Sequence, residues 1–149
     1  MDDATLTDVT VLVVEDQVMV AQYLVQTLRA AGARVSGPAR NPSEARWLRQ
    51  IESPKLAVLD IMLGDDGVQS LADQLSKEGV PFCFFTGLGH VDHIAASYPG
   101  VPIISKLDPE ALVPALASLL TSGEGAAKPG APVPENGAGP VRADDTPAA

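Results

Sequence analysis

The sequence predicts a three-layer α/β domain, in which a parallel sheet of five strands carries helices on both faces. Two observations predict this class. Short β-type runs alternate with helical patterns along residues 1–121. The first run, Val9 to Val14, is almost continuously β-branched, as expected of a strand that is covered on both faces. A chain of 149 residues suits one such domain and leaves little room for a second.

Each element has its own signal in the sequence. The first helix has apolar residues at four-residue spacing before Gly32, and the run ARVSGP predicts a short second strand. Asn41 is expected to cap the second helix, with Ala45, Leu48 and Ile51 on its inner face. The other predicted strands are residues 56–60, 82–86 and 101–105. Three more helices are predicted from apolar residues at helical spacing. In the third helix these are Val68, Leu71, Ala72 and Leu75, in the fourth Val91, Ile94, Ala95 and Tyr98, and in the fifth Leu112, Leu116, Leu119 and Leu120.

The composition changes sharply near the C-terminus. Residues 122–149 contain five Gly, five Pro and seven Ala, and none of Leu, Ile, Phe, Tyr or Trp. Such a segment buries too little apolar surface to offset the entropy lost on ordering it. We therefore expect an N-terminal extension at 1–8, a domain at 9–121 and a disordered tail at 122–149.

Charge and cysteine content exclude several classes of function. The chain has 19 acidic and 10 basic residues, with a net charge of −9, which argues against nucleic acid or an anionic membrane as a partner. The acidic N-terminus and the absence of a long apolar run predict a soluble, cytoplasmic protein. The single Cys83 lies in an apolar run, which indicates a buried filler and neither a disulfide nor a zinc site.

Polar residues follow four of the five predicted strands: Glu15 and Asp16, then Asp60, Thr86 and Lys106. The carboxyl ends of parallel strands meet at one edge of the sheet, so these side chains should converge. Three neighbouring carboxylates suit Mg²⁺, and Asp60 could then act as a nucleophile on phosphorus. Thr86 could donate to one phosphoryl oxygen, while Lys106 pairs with another. Singly, each residue also fits an ordinary turn, cap or strand end, and only the joint placement favours function.

The motifs VLVVED, AVLDIML and IISK, with Thr86 after an apolar strand, resemble the receiver domain of two-component response regulators over residues 9–121. The resemblance implies a flavodoxin-like (CheY-like) strand order 2-1-3-4-5 and an aspartyl phosphate at Asp60, formed from a phosphohistidine donor. It also implies Mg²⁺ held by Glu15, Asp16, Asp60 and the backbone carbonyl of Met62.

Two further stretches, VPFCFFTGLGH and LDIMLGDDG, are similar to the stand-alone receivers of the FATGUY (PFxFATGYG) subclass. That similarity implies a single-domain regulator served by HWE-type histidine kinases, often within general stress signalling.

The sequence departs from the usual receiver at several positions, among them Phe85 and Gly87 beside Thr86, and Leu88 in place of the subclass's aromatic residue. Ile103 stands where most receivers carry a Tyr or Phe that swings inward on phosphorylation, and Leu107 replaces the usual Pro after the lysine. We hypothesise that residues 87–99 are loosely ordered without phosphate and become ordered when Thr86 bonds to the phosphoryl group.

The favoured function is therefore a phosphoacceptor with at most slow autophosphatase activity. Its expected partners are a histidine kinase or a phosphotransfer protein. The output would be a downstream protein bound on the face of the fourth helix, fifth strand and fifth helix, or the chain would act as a phosphate sink. One alternative is a receiver-like binding module independent of phosphorylation, which Ile103 and Leu107 slightly favour and the intact acidic set opposes. Another is a Mg²⁺-dependent hydrolase with an aspartyl nucleophile.

Overall fold

The computed structural model describes residues 5–61, 66–87 and 91–125, and strands and helices alternate along them. The strands are β1 (Thr10–Val14), β2 (Arg34–Ala39), β3 (Leu56–Leu59), β4 (Phe82–Thr86) and β5 (Ile103–Ser105). The helices are α1 (Val18–Ala30), α2 (Pro42–Glu52), α3 (Asp66–Lys77), α4 (Val91–Ser97) and α5 (Leu112–Gly125), with a 3-10 turn at Pro109–Ala111 before α5. Every predicted strand and helix is present.

The sheet has the order β2-β1-β3-β4-β5, and every neighbouring pair is parallel. This order confirms the one that the resemblance implied. The register pairs Val14 with Leu59, Leu59 with Phe84, and Thr86 with Ser105. The carboxyl ends of the four strands that precede the predicted site residues therefore meet at one edge of the sheet.

The apolar side chains of the strands pack into two separate hydrophobic cores. In β1, Leu12 and Val14 pack into the core shared with α3, whereas Val11 and Val13 pack into the core shared with α1 and α5. A strand that is buried on both faces cannot alternate apolar and polar residues, which explains the continuous run in the sequence. Cys83 is fully buried in the second core, and burial raises the pKa of its thiol to about 12, so it is an inert filler as predicted.

The start of α2 agrees with the sequence, but its inner face is smaller than expected. The Asn41 side chain accepts a hydrogen bond from the Glu44 backbone N–H at 2.9 Å, which confirms the predicted cap. Ala45 is fully buried, but Ile51 is 56% exposed, so its placement on the inner face was wrong. Ile51 lies six residues after Ala45, which is about 120° away around the helix.

Residues just outside the predicted limits 9–121 also have a defined place in the structure. Leu6 is fully buried in the second core, and its backbone N–H donates to the Ala31 carbonyl at 2.8 Å. At the other end, α5 continues to Gly125. The rest of the predicted tail, residues 126–149, lies outside the described residues. Within the described part, no helix is both long and apolar enough to cross a membrane.

Helix α4 is short but anchored at its end by Tyr98. The Tyr98 ring packs edge-on against Phe82 and at a tilt against Phe84, and its hydroxyl donates to the Asp73 side chain at 2.8 Å. The C-terminal end of α4 is therefore held against α3 and β4. The hypothesis that residues 87–99 become ordered on phosphorylation stays a prediction. Residues 88–90 lie outside the described part of the chain.

Gly37 in β2 is the glycine whose replacement should disturb the fold most. Its φ is +105°, and a Cβ there would lie 2.7 Å from the Ala39 nitrogen and 2.9 Å from the Val13 carbonyl oxygen. We expect Gly37→Ala to lower the free energy of unfolding by at least about 3 kcal/mol. Gly79 also has a positive φ but has open space around it, so Gly79→Ala should cost only about 1–2 kcal/mol. Urea unfolding of both variants checks this, and equal losses would contradict it.

Candidate functional site

The predicted acidic residues converge at the carboxyl edge of the sheet. Glu15 and Asp16 directly follow β1, and Asp60 directly follows β3. Carboxylate oxygens from the three side chains lie within 4.8 Å of one another. The backbone sets this arrangement, because the N–H of Glu15 donates to the Ala39 carbonyl at 2.9 Å and that of Asp60 donates to the Val14 carbonyl at 3.2 Å. The convergence expected from the sequence is confirmed for all three.

The three carboxylates differ in their contact with solvent. Glu15 and Asp60 are 1% and 2% exposed, whereas Asp16 lies at the open side of the cluster. Burial raises the pKa of Glu15 to about 7, and the neighbouring Asp60 adds to the shift. The Gln17 backbone N–H, which donates to Glu15 Oε2 at 3.1 Å, and the Lys106 ammonium oppose the shift. Burial therefore favours the protonated form of Glu15 more than in a solvent-exposed glutamate.

Lys106 supplies the positive charge of the site. Its Nζ lies 3.3 Å from Asp60 Oδ2 and 3.4 Å from Glu15 Oε1, so one ammonium bridges the two buried carboxylates. The Lys106 backbone N–H donates to the Thr86 carbonyl at 2.8 Å, which fixes the base of the side chain to the end of β4. One ammonium among three carboxylates leaves the ionised cluster with an excess of negative charge.

Thr86 brings a buried hydroxyl to the same edge. The residue is fully buried, and its Oγ1 has no hydrogen-bond partner among the described residues. Buried hydroxyls without a partner are rare, because leaving one unsatisfied costs about 1–3 kcal/mol. A ligand oxygen at the end of β4 would satisfy it.

The donor set fits a magnesium ion. Carboxylate oxygens are the protein ligands that Mg²⁺ prefers, and a site with only a few of them leaves room for waters and for a phosphate oxygen. A cation would also offset the negative charge that Lys106 leaves uncompensated. Glu15, Asp16 and Asp60 could all contribute ligands. Met62, which the resemblance implied as a carbonyl ligand, lies outside the described residues.

An apolar groove beside the acidic cluster was not foreseen from the sequence. It has a volume of about 250 Å³ and is lined by Met19, Val20, Tyr23, Phe85, Lys106 and Pro109. Three apolar side chains near it are unusually exposed, namely Val18 at 62%, Met19 at 78% and Leu107 at 78%. The signal in the sequence was Met19, an apolar residue that lies about 180° around α1 from the buried Leu28.

The structure shows the surroundings of Ile103 and Leu107, the two residues that stand in place of the usual aromatic residue and proline. Ile103 is half-buried and packs against the core that contains Phe84 and Tyr98. The exposed Leu107 donates its backbone N–H to the Ser105 hydroxyl oxygen at 3.0 Å.

Comparison with curated proteins finds regulators. The chain is 31% identical over 114 residues to the probable transcriptional regulator ycf27 of Cyanophora paradoxa. The aligned region covers 74% of this chain and 47% of that protein. It is 29% identical over 83 residues to the transcriptional regulatory protein PdtaR of Mycobacterium tuberculosis, covering 55% of this chain and 40% of that protein. The chain thus spans less than half the length of these relatives. No protein-family model matches it.

Comparison with solved structures finds receiver domains. The non-phosphorylated HemR receiver domain of Leptospira biflexa is 26% identical with a TM-score of 0.64, over 76% of this chain and 95% of that one. A CheY-like receiver domain protein of Methanospirillum hungatei is 23% identical with a TM-score of 0.67, over 79% and 98%. The PhyR stress response regulator is 25% identical with a TM-score of 0.65, over 80% of this chain and 47% of that one.

The strand order, the acidic cluster and these likenesses together define a response-regulator receiver domain of the two-component type. Such a domain is a phosphoacceptor signalling module and not a classical enzyme. The acidic cluster of Glu15, Asp16 and Asp60 is typical of the magnesium site of receivers.

Proposed function

We propose that this chain is a response-regulator receiver that accepts a phosphoryl group on Asp60 from a phosphohistidine donor. The observation that carries the proposal is the environment of Asp60. Its carboxylate is buried, lies 3.3 Å from the Lys106 ammonium and shares an acidic cluster that suits Mg²⁺. The hydroxyl of Thr86, which has no hydrogen-bond partner among the described residues, stands at the end of the neighbouring strand.

The chemistry follows from these positions. An Asp60 carboxylate oxygen attacks phosphorus, the P–N bond to the donor imidazole breaks, and the imidazole leaves with the bonding electrons. Lys106 then pairs with one phosphoryl oxygen and Thr86 donates a hydrogen bond to another. Magnesium held by Glu15, Asp16, Asp60 and the Met62 carbonyl would supply the positive charge that offsets the incoming group.

Loss of the phosphoryl group restores the starting state. A water oxygen attacks phosphorus, the bond between phosphorus and the Asp60 oxygen breaks, and inorganic phosphate leaves. We propose that this autophosphatase step is slow.

The proposal is tested with the full chain and a small phosphodonor. Incubation with phosphoramidate and Mg²⁺ should add the mass of one phosphoryl group, and excess EDTA should prevent the addition. Peptide mapping should place the group on Asp60. Absence of any labelling, or labelling that is indifferent to EDTA, would overturn the proposal.

The exposed rim of the site is the proposed docking surface for the phosphohistidine donor. Asp60 is buried, so a donor must approach over the rim formed by Val18, Met19 and Leu107 and the apolar groove beside Lys106. Apolar residues that become fully covered contribute most to such contacts. The donor would be a histidine kinase, of the HWE type that the FATGUY-like motifs suggest, or a phosphotransfer protein.

Replacement of Met19 should separate docking from chemistry. The donor is an HWE-type kinase that phosphorylates the wild-type chain. We expect Met19→Ser to slow this phosphorylation at least ~10-fold, while the rate of labelling by phosphoramidate stays unchanged. Trp47→Ser is the matched control, since Trp47 is also exposed (61%) but lies on α2. Equal slowing by both variants would contradict the docking surface.

The phosphorylated state has two proposed outputs. The surface of α4, β5 and α5 would bind a downstream protein, or the chain would serve as a phosphate sink. The likeness to the PhyR stress response regulator, together with the FATGUY-like motifs, supports a place in general stress signalling.

A further inference from the structure

Lys106 sits in a tight turn between β5 and the 3-10 turn at Pro109–Ala111, and Ser105 closes that turn twice. The backbone carbonyl of Ser105 accepts a hydrogen bond from the Asp108 N–H at 2.9 Å. The Ser105 hydroxyl oxygen accepts one from the Leu107 N–H at 3.0 Å. The N–H of Lys106 itself is bound to the Thr86 carbonyl. The backbone on either side of Lys106 is therefore held by three hydrogen bonds, one of which depends on a side chain.

Packing does little to hold the outer part of this turn. The Leu107 side chain is 78% exposed, and Asp108 is exposed as well. Without the Ser105 hydroxyl, the Leu107 N–H would turn to water and the turn would have one constraint fewer. The serine hydroxyl thus fixes the backbone conformation of this turn, whereas buried apolar contacts fix the backbone elsewhere in the domain.

The conformation of the turn matters because the Lys106 side chain is long and its ammonium must contact two carboxylates at once. A lysine side chain has about 2 kcal/mol of rotamer entropy to lose on being fixed. Its Nζ must lie between Asp60 and Glu15, at 3.3 and 3.4 Å from their oxygens. Small changes in the direction of the Lys106 backbone would move the ammonium away from one of the two carboxylates.

We infer that Ser105 is a positioning residue for Lys106: its hydroxyl fixes the turn that delivers the ammonium to the Asp60 site. The inference rests on the proposed function, because the ammonium is the group that meets the incoming phosphoryl oxygen. It adds a residue to the site that lies on the edge strand and does not itself touch the acidic cluster.

The test measures the rate of labelling by phosphoramidate with saturating Mg²⁺ in the full chain. Ser105→Ala should slow labelling about 3- to 10-fold, and Ser105→Thr, which keeps the hydroxyl, should restore the wild-type rate. Ser118→Ala is the control, since it removes the hydroxyl of an exposed serine on α5. The melting temperatures of all variants are compared in parallel, so that a rate loss at full stability is assigned to the site.

A double substitution shows whether Ser105 acts through Lys106. In the Lys106→Ala background the ammonium is gone, so Ser105→Ala should slow labelling no further. An unchanged rate in Ser105→Ala, no rescue by Ser105→Thr, or the same added loss in the Lys106→Ala background would overturn the inference. These outcomes all require that the wild-type chain is labelled, so they are distinct from failure of the proposed function, in which the wild type itself stays unlabelled.

Discussion

Replacement of Asp60 with asparagine is expected to reduce phosphoryl uptake at least ~100-fold. The amide carries no negative charge and is a poor nucleophile, while it keeps nearly the shape of the carboxylate. Asp60 is almost completely buried, and its carboxylate lies 3.3 Å from the Lys106 ammonium. The measurement is the rate of labelling by phosphoramidate with Mg²⁺, followed by intact mass.

Asp8→Asn is the matched control for this change. Asp8 is an exposed aspartate at the opposite end of β1, where it pairs with Arg34 at 3.5 Å. Its replacement should leave the rate of labelling unaltered. Normal labelling of Asp60→Asn would place the phosphoryl group elsewhere. A cellular phenotype and partner affinity that do not change in Asp60→Asn would favour the phosphorylation-independent binding module.

Replacement of Glu15 with glutamine should have opposite effects on function and on stability. The variant loses a charged ligand, and we expect its affinity for Mg²⁺ to fall at least ~10-fold. In the metal-free protein, however, the same change removes a buried carboxylate that burial and Asp60 make unfavourable to ionise. We expect the free energy of unfolding in EDTA at pH 8 to rise by about 3 kcal/mol.

The sign of the pH dependence follows from the two states of Glu15. Its pKa is about 7 in the folded protein and near 4.5 in the unfolded chain, so between these values only the folded state keeps the proton. The free energy of unfolding of the metal-free wild type should therefore contain a contribution that falls as pH rises from about 4.5 to 7 and then levels off. Glu15→Gln should lack this contribution.

Urea unfolding in EDTA at pH 5 and pH 8 measures both quantities, with Glu52→Gln as the control at an exposed glutamate. The wild type and Glu52→Gln should lose more stability between the two pH values than Glu15→Gln does. A loss in Glu15→Gln as large as that of the wild type would show that Glu15 ionises normally in the folded protein.

Most of the sheet and the composition of the site could be predicted from the sequence. Strands that are buried on both faces leave continuous apolar runs, and residues at the ends of parallel strands must share an edge. That reasoning placed Glu15, Asp16, Asp60, Thr86 and Lys106 together, and the structure brings their strand ends together at one edge. The strand order β2-β1-β3-β4-β5 came from the resemblance to receiver domains, because the strands alone do not determine it.

Features that depend on three-dimensional packing could not be predicted in this way. Adjacent residues of one motif, Glu15 and Asp16, are respectively buried and exposed, and only the packing around β1 decides which. The hydrogen bond from the Leu107 N–H to the Ser105 hydroxyl oxygen depends on the conformation of a turn. The groove beside Met19 forms only where α1 meets the segment after β5. Ile51 shows the reverse error, since an apolar residue at roughly helical spacing lies mostly in solvent.

Amide NMR spectra of the full chain test the central claim most directly. They would be recorded for the protein alone, with Mg²⁺, and with Mg²⁺ plus beryllofluoride, which mimics a phosphoryl group on Asp60. We predict shifts concentrated at residues 15, 16, 60, 86 and 106, with changes spreading into residues 87–99. Spectra that do not change in this region, in a protein that is folded by the same spectra, would contradict the assignment of Asp60 as the phosphoacceptor.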